Sequence, residues 1–158
     1  MLRLISIGLF VSLANLSWSQ VNLEDQILHR ANKIVDNWHL DASKSNLETY
    51  FDAMSNDFVF LGTDPKERWS KKEFYQFCAP YFNKKETWNF IAKERYWNSN
   101  DSGTILWFDE VLDTWMGTCR GVGVLRKKQD DWELTFYNLS VLIENEKIQK
   151  FIDLRSHE

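Results

Sequence analysis

The sequence has little of what marks disordered, disulfide-rich or nucleic-acid-binding proteins. Its 158 residues include only 6 glycines, 2 prolines and 2 cysteines, which excludes low-complexity chains and disulfide frameworks. No basic run is longer than Arg126–Lys128, and 23 acidic residues outnumber 19 basic ones, so nucleic acid is not an expected partner. Hydrophobic residues make up 44% and aromatic residues 15% of the chain. This composition predicts one folded domain with a sizeable core.

The N-terminus has the pattern of a secretory signal peptide. Arg3 precedes an uncharged apolar run at residues 4–16, and the small residues Ser17 and Ser19 follow it. The run is too short to span a bilayer, which takes about 20 residues, and no later stretch is long and uncharged enough. We therefore predict a signal peptide at residues 1–19, export to the periplasm or the medium, and no membrane association afterwards. An uncleaved N-terminal helix is the alternative.

Motifs for metals, cofactors and nucleophilic catalysis are missing from the sequence. There is no HExxH, GxSxG, phosphate-loop or dinucleotide-binding pattern. His29 and His39 lie ten residues apart on one predicted helix, which places them on different faces. We expect no metal and no cofactor. Cys78 and Cys119 could form a disulfide after export or remain two buried thiols, and the sequence leaves both open.

Apolar residues in the first half of the chain recur with helical spacing. Residues 23–38 form a long amphipathic stripe that Asn22 can cap, and a second, shorter helix is predicted from Leu47 to about Asn56. Ser70, with a glutamate three residues later, forms a capping box that starts a third helix. The first half is therefore predicted to be mainly helical.

The spacing changes to an alternation of two in the second half, which predicts strands. A short hairpin at residues 58–61 and 67–69 comes before the third helix. The long strands are predicted at residues 88–97, 104–112, 119–128 and 132–143. Together these elements predict an α+β domain at residues 20–150 with a mostly antiparallel sheet, followed by a tail at residues 151–158.

Four motifs are shared with one known family: GTDPKERW at residues 62–69, WFDE at 107–110, CRGVGVL at 119–125 and YNLS at 137–140. They resemble the SnoaL-like domain of the nuclear transport factor 2-like, or ketosteroid-isomerase-like, superfamily. The resemblance covers residues 23–148. It implies a strongly curved sheet that wraps as a cone around three helices in the N-terminal half, with a pocket inside. It also implies a possible homodimer through the outer face of the sheet.

The resemblance also indicates where isomerase chemistry would lie. Isomerases of this superfamily use an aspartate near the first strand as the base, with a tyrosine and a protonated aspartate as the oxyanion hole. Asp64, followed by Pro65, matches the base, but residues 23–45 contain no tyrosine and residues 119–128 no carboxylate. Asp64 is therefore the candidate catalytic residue. Its alternative role is to accept backbone N–H bonds in the turn.

Several polar and aromatic residues are candidates for lining the pocket. A carboxylate beside Trp69 or Trp107 would have a raised pKa, as a general base requires. Asp109 and Glu110 are strand neighbours, so at most one of them enters the pocket. The predicted ligand-binding residues are Glu67, Trp69, Trp107, Asp109, Arg120, Tyr137 and Asn138.

The charge of the predicted ligand depends on the role of Arg120. Gly121 and Gly123 follow it and could let a ligand or another backbone approach closely. The guanidinium could hold an anion, or it could pair internally with Asp109 or Glu110. A second strand arginine at position 95 is predicted to be solvated.

The sequence therefore favours an exported domain that binds a small polar or anionic molecule in its pocket. One alternative is a small cofactor-independent enzyme, isomerase-like or hydrolase-like, with Asp64 as its general base. The other is an interaction module that uses the outer sheet face.

Overall fold

The computed structural model describes residues 6–156, with side chains placed from residue 24 onward. The chain divides into two compact units, Met1–Val35 and Asp36–Glu158. The first helix, α1 (Ser6–Ser43), runs through the boundary between them. None of the helices in the described part of the chain is long and apolar enough to cross a membrane.

The first helix begins earlier than predicted. Asn22 is predicted to cap it, but α1 already begins at Ser6 and passes through Asn22, because no proline interrupts the intervening sequence. Its end at Ser43 agrees with the predicted break at the polar residues 41–45. The predicted signal peptide starts with residues outside the described range, and cleavage after Ser19 stays a prediction.

The second helix is shorter than predicted. It covers Leu47–Asp52 (α2), whereas Met54 and Asn56, expected near its end, belong to strand β1 (Met54–Leu61). This strand pairs with two other strands, one on each side. Backbone pairing on both edges outweighs a helical spacing of a few apolar residues.

The third helix begins where its capping box predicts. After the short strand β2 (Arg68–Ser70), α3 covers Lys71–Lys84. The Glu73 carboxylate accepts the Ser70 N–H at 2.8 Å, and the Ser70 hydroxyl accepts the Glu73 N–H. The helix ends at Lys85, whose left-handed conformation turns the chain away.

All six strands form one open sheet. The four long strands are β3 (Ile91–Ser99), β4 (Ile105–Thr114), β5 (Gly117–Lys128) and β6 (Asp131–Val141). The strand order is β2-β1-β6-β5-β4-β3, and every pair is antiparallel except β1 with β6. The predicted α+β class and the antiparallel succession of the long strands are confirmed. A further helix, α4 (Ile148–Arg155), was not predicted.

Strand alternation places the side chains of β4, β5 and β6 on two faces. On the face defined here as the inner face, Phe108 and Tyr137 both lie opposite Gly123, Glu110 follows Phe108 by two positions, and all three are fully buried. Trp38 of α1 packs edge-on against Tyr137, with 4.7 Å between ring centroids, so a helix covers this face. The opposite face is called the outer face. Its exposed or half-buried residues include Trp107, Asp109, Arg120 and Asn138.

Candidate functional site: an aromatic cavity beside a buried ion network

A cavity of about 340 Å³ lies within the unit Asp36–Glu158. Its walls come from α2, β1, β2 and the turn between them, α3, the segment between α3 and β3, the hairpin between β4 and β5, and β6. Nine of its sixteen lining residues are aromatic, so rings rather than aliphatic side chains form the wall. The aromatic residues are Tyr50, Phe60, Trp69, Phe74, Phe77, Tyr81, Trp88, Phe90 and Trp115.

Eight of the nine rings, all except Trp115, form one connected set of ring contacts, some stacked and some tilted or edge-on. Trp69 stacks on Phe77 with 4.5 Å between centroids, and Phe77 continues to Tyr81 at 5.4 Å. On the other side, Phe60 stacks on Phe74 at 4.1 Å. These eight rings pack against one another, so this part of the wall is formed without a ligand.

Three of these rings keep a large exposed area. Phe77 is 38%, Tyr81 42% and Trp115 80% exposed. Trp115 lies in the β4–β5 turn, which the Thr114 hydroxyl holds by accepting the Met116 N–H at 3.0 Å and donating to the Gly117 carbonyl at 2.9 Å. A ligand in the cavity would cover apolar ring surface that now contacts water.

Glu67 is held at the cavity by the turn between β1 and β2. Its Oε2 accepts the Asp64 N–H at 3.1 Å, while its backbone carbonyl accepts the Gly62 N–H at 2.8 Å. A Cβ atom at Gly62 would collide with the Glu67 carboxylate and lie 2.9 Å from its Cβ. Glycine at position 62 is therefore what allows the glutamate side chain to lie across the turn.

A second carboxylate, that of Glu86, lines the cavity from the segment after α3. Glu86 is exposed, and its backbone N–H donates to the Tyr81 carbonyl at 3.0 Å. The next residue, Thr87, also lines the cavity, and its hydroxyl lies 3.0 Å from that of Ser45. The segment that contains Glu86 and Thr87 is thus held by one backbone hydrogen bond and one side-chain hydrogen bond.

Next to the cavity wall, the inner face buries a network of charged groups. Glu110 is fully buried and accepts four hydrogen bonds. Its Oε1 accepts from His39 Nε2 and from the Tyr137 hydroxyl, both at 2.7 Å. Its Oε2 accepts from Arg95 Nε at 2.9 Å and Nη2 at 2.7 Å. Arg95 also donates from Nη1 to Asp36 at 2.8 Å.

These contacts determine the ionisation of the network. Burial by itself would raise the pKa of Glu110, but the hydrogen bond and charge of His39, the charge of Arg95 and the Tyr137 hydrogen bond lower it to about 2. Burial and the Glu110 charge raise the pKa of Tyr137 well above its usual value. Glu110 is therefore a carboxylate and Tyr137 a neutral donor at physiological pH.

Two glycines, which have no side chain, provide the space that this network occupies. A Cβ atom on Gly121 would collide with the Tyr137 hydroxyl and lie 3.0 Å from Glu110 Cγ. One on Gly123 would collide with the Phe108 ring. The close approach expected at these glycines therefore occurs, but the approaching atoms belong to the protein's own side chains.

Among the predicted site residues, the structure brings only Glu67 and Trp69 to the cavity wall. Tyr137 lies on the inner face, where its ring faces Phe60 at 6.2 Å and its hydroxyl is committed to Glu110. Tyr137 therefore packs against Phe60 of the cavity wall without lining the cavity itself.

The other four predicted ligand-binding residues lie on the outer face, away from the cavity lining. Trp107 and Asp109 alternate with the inward residues of β4, and Arg120 and Asn138 occupy matching positions on β5 and β6. Asn138 donates to the Ser140 hydroxyl at 3.1 Å. The motifs contain no information on strand register, and a shift of one residue moves a side chain to the opposite face, so the sequence did not place these residues relative to this cavity.

Asp64 takes the structural role that was its alternative. It is exposed, and its Oδ1 accepts the Lys66 N–H at 2.8 Å in the turn. Asp64 is not among the residues that line the cavity. The position that resembles the isomerase base thus closes a turn and holds Glu67.

Arg95 is the residue that sequence reasoning misplaced most. It was predicted to be solvated, but its side chain is 7% exposed and pairs with Glu110 and Asp36. Opposite Glu110 on the paired strand, it belongs to the same inward face. The sequence signal that could have indicated this burial is a pair of opposite charges, Arg95 on β3 and Glu110 on β4, at inward positions of neighbouring strands.

Neither the cysteines nor the histidines form a metal or redox centre in the described residues. No group of three or more potential ligands from His, Cys, Asp and Glu converges within residues 6–156. Cys78 and Cys119 are both buried and unpaired, which resolves the question left open. Burial raises the pKa of the Cys78 thiol, so it is a poor nucleophile.

Comparison with known proteins gives a family and a fold. A family model described as SnoaL-like domain matches residues 31–144. A search of curated proteins finds none that matches the chain.

Solved structures with the same fold have low sequence identity. An NTF2-like protein of unknown function from Pseudomonas putida is 10% identical, with a TM-score of 0.61 over 74% of this chain and 87% of that one. An NTF2-like family protein from Streptomyces avermitilis, provisionally assigned as a dehydratase, is 13% identical, with a TM-score of 0.62 over 77% and 99%. A Xanthomonas campestris protein, provisionally assigned as a calcium/calmodulin-dependent kinase II association domain, is 18% identical, with a TM-score of 0.55 over 72% and 86%. These similarities concern the fold alone.

Proposed function

The chain belongs to the SnoaL-like domain family, and we propose that it binds a small, largely apolar molecule in the cavity between Trp69, Phe77 and Trp115. The observation that carries this proposal is the set of aromatic rings, three of them largely exposed, around one concave space. Apolar walls with a few polar groups are typical of small-molecule sites, and the cavity volume is in their usual range.

The ligand class differs from the one expected from the sequence. A small polar or anionic ligand was expected, the anion because of Arg120, which lies on the outer face rather than at the cavity. The charged groups that line the cavity are the carboxylates of Glu67 and Glu86. A ligand with its own negative charge is therefore disfavoured.

Catalysis is the second candidate, and Glu67 is the observation in its favour. It lines the cavity next to an aromatic wall, as a general base would. No lysine, arginine or histidine is among the lining residues of the described chain, so an oxyanion would have only hydroxyl groups to stabilise it. Binding without turnover is therefore the better supported reading.

The binding proposal is tested with Trp115→Ala. Purified protein is screened by thermal shift and tryptophan fluorescence against small aromatic and alicyclic compounds, neutral and charged. We expect at least one compound to raise the Tm, and Trp115→Ala to weaken its binding about tenfold with little change in the stability of the free protein, because Trp115 is 80% exposed.

Trp107→Ala is the matched control, since it removes a partly exposed indole from the outer face. Its affinity should equal that of the wild type. If no compound stabilises the protein, or if both tryptophan variants lose affinity equally, the cavity is not the binding site.

We also propose that the outer face forms a homodimer. Trp107 and Tyr96 are 40% and 59% exposed and lie on the same face of neighbouring strands. Burial of such rings against a second copy would stabilise a dimer. Sedimentation velocity should show a dimer that Trp107→Arg dissociates, whereas a monomer at high protein concentration would contradict it.

Export is a further part of the proposal and depends on the sequence of residues 1–19. Mass spectrometry of the secreted or periplasmic fraction should find a chain that begins at Gln20. A chain that still begins at Met1 in that fraction would contradict cleavage.

A further inference from the structure

The carboxylates at the cavity have unused capacity to accept hydrogen bonds. A carboxylate can accept about four of them. Glu67 accepts only the Asp64 N–H, and the Glu86 carboxylate has no ion-pair or hydrogen-bond partner within the described part of the chain. Both residues line the cavity, and neither carboxylate forms an ion pair with a basic side chain in the described part of the chain.

Basic residues are close in sequence but do not line the cavity. Lys66 and Arg68 flank Glu67, and Lys84 and Lys85 precede Glu86. None of these four residues is part of the cavity lining. The charged residues that line the cavity are thus both acidic, and a cleft lined by charges of one sign attracts ligands of the opposite sign.

The aromatic rings favour the same sign of ligand charge. The face of an aromatic ring carries partial negative charge and attracts cations, most strongly for tryptophan. Three tryptophans, Trp69, Trp88 and Trp115, line the cavity, and Trp115 is largely exposed. Ring faces and carboxylates together surround one space of about 340 Å³.

We infer that the ligand is an organic cation, an amine or a quaternary ammonium compound that carries apolar groups. Its charged nitrogen would lie between Glu67, Glu86 and the tryptophan rings, and its apolar groups would contact Phe77. This inference rests on the proposed function, because it specifies the chemistry of a ligand in the same cavity.

The test compares three compounds that share a phenyl group and differ in charge: 2-phenylethylammonium, 2-phenylethanol and 3-phenylpropionate. Isothermal titration at pH 7 should show that the ammonium compound binds about tenfold or more tightly than the alcohol. The propionate should bind most weakly. Added KCl should reduce the preference for the cation, since part of it is electrostatic.

Two glutamine variants locate the preference. Glu67→Gln with Glu86→Gln should reduce the preference for the ammonium compound over the alcohol to less than about threefold, while binding of the alcohol remains. Glu146→Gln is the matched control, because it removes one negative charge from an exposed residue outside the cavity. It should leave the preference unchanged.

The outcomes separate this inference from the proposed function. If the alcohol or the propionate binds as tightly as the ammonium compound, or if the double variant keeps the full preference, the cationic ligand is wrong and cavity binding stands. If none of the three binds, but a compound without a positive charge binds the wild type and loses affinity specifically in Trp115→Ala, the inference also fails alone. If no compound of either series binds, both fail.

Discussion

Glu110 and Glu67 lie in the same domain but in opposite surroundings. Glu110 is fully buried, and four hydrogen bonds from His39, Tyr137 and Arg95 use its whole acceptor capacity. Glu67 is half-buried at a cavity and accepts one hydrogen bond. The comparison teaches that a carboxylate with all its partners inside the protein serves stability, whereas one with missing partners is available to a ligand.

The same contrast holds for the rings around the two carboxylates. On the inner face, Phe108 and Tyr137 are fully buried against other side chains. At the cavity, Phe77 and Trp115 keep exposed surface. The side chains of the buried network therefore interact with one another, whereas the cavity presents apolar surface and charged groups to a ligand.

The largest effect is expected for Glu110→Gln. The substitution keeps the shape but removes the charge, which deprives the buried Arg95 side chain of its ion pair with Glu110. Breaking a buried ion pair in this way costs about 3–5 kcal/mol. Urea unfolding should show this loss. Glu67→Gln, the control in the contrasting region, should change stability by less than about 0.5 kcal/mol.

An equal, small change in both variants would remove the distinction between the two carboxylates. For ligand binding, the order of the two variants is reversed. Glu67→Gln should change the preference for charged ligands, and folded Glu110→Gln should retain it.

Gly121→Ala should destabilise the protein less, by about 1–3 kcal/mol. The new methyl group would collide with the Tyr137 hydroxyl and force it away from Glu110. Thr118→Ala, an exposed substitution on the same strand, is the control. If Gly121→Ala is as stable as the control, the inner face is packed more loosely than these contacts imply.

Acid should weaken the network in a defined pH range. The pKa of Glu110 is lowered in the folded protein, from 4.5 to about 2, so its stabilising contribution is present above pH 4.5 and is lost as the pH falls towards 2. We expect a loss of about 1 kcal/mol between pH 5 and pH 3.5 from this group.

Hydrogen bonds from Arg126 and from Ser70 also lower the pKa values of Glu133 and Glu73, so these carboxylates add to the acid dependence. The contribution of Glu110 is therefore the difference between wild type and Glu110→Gln at each pH. A difference that stays constant from pH 5 to pH 3.5 would contradict the lowered pKa.

The fold was accessible from the sequence because its signals are local or periodic. The capping box at Ser70 and the alternation of the four long strands predicted elements that the structure contains. The end of α2 was not predicted correctly. Met54 lies in β1 because of pairing with Leu134, about eighty positions later, which local spacing does not reveal.

The candidate site was less accessible, because it depends on register. Trp107 and Glu110 are three positions apart on β4, and the alternation puts them on opposite faces. Which face is inward is decided by Gly121 and Gly123, which make room for Tyr137. The aromatic cavity also needs Trp115 from a hairpin turn, and no periodic pattern places a turn residue.

The smallest effect is expected for Asp64→Ala. Asp64 resembles the isomerase base and lies in the same turn as Glu67, which lines the cavity. Asp64 Oδ1 accepts the Lys66 N–H in an exposed turn, so water can replace it and the cost should be about 0.5 kcal/mol. Ligand affinity should remain close to that of the wild type, because the Asp64 N–H that holds Glu67 is a backbone group. Asp64→Asn keeps an acceptor at Oδ1 and should match the wild type in both stability and binding. A loss of more than tenfold in affinity or in any turnover with Asp64→Asn, at unchanged stability, would instead assign the carboxylate of Asp64 a direct role at the site.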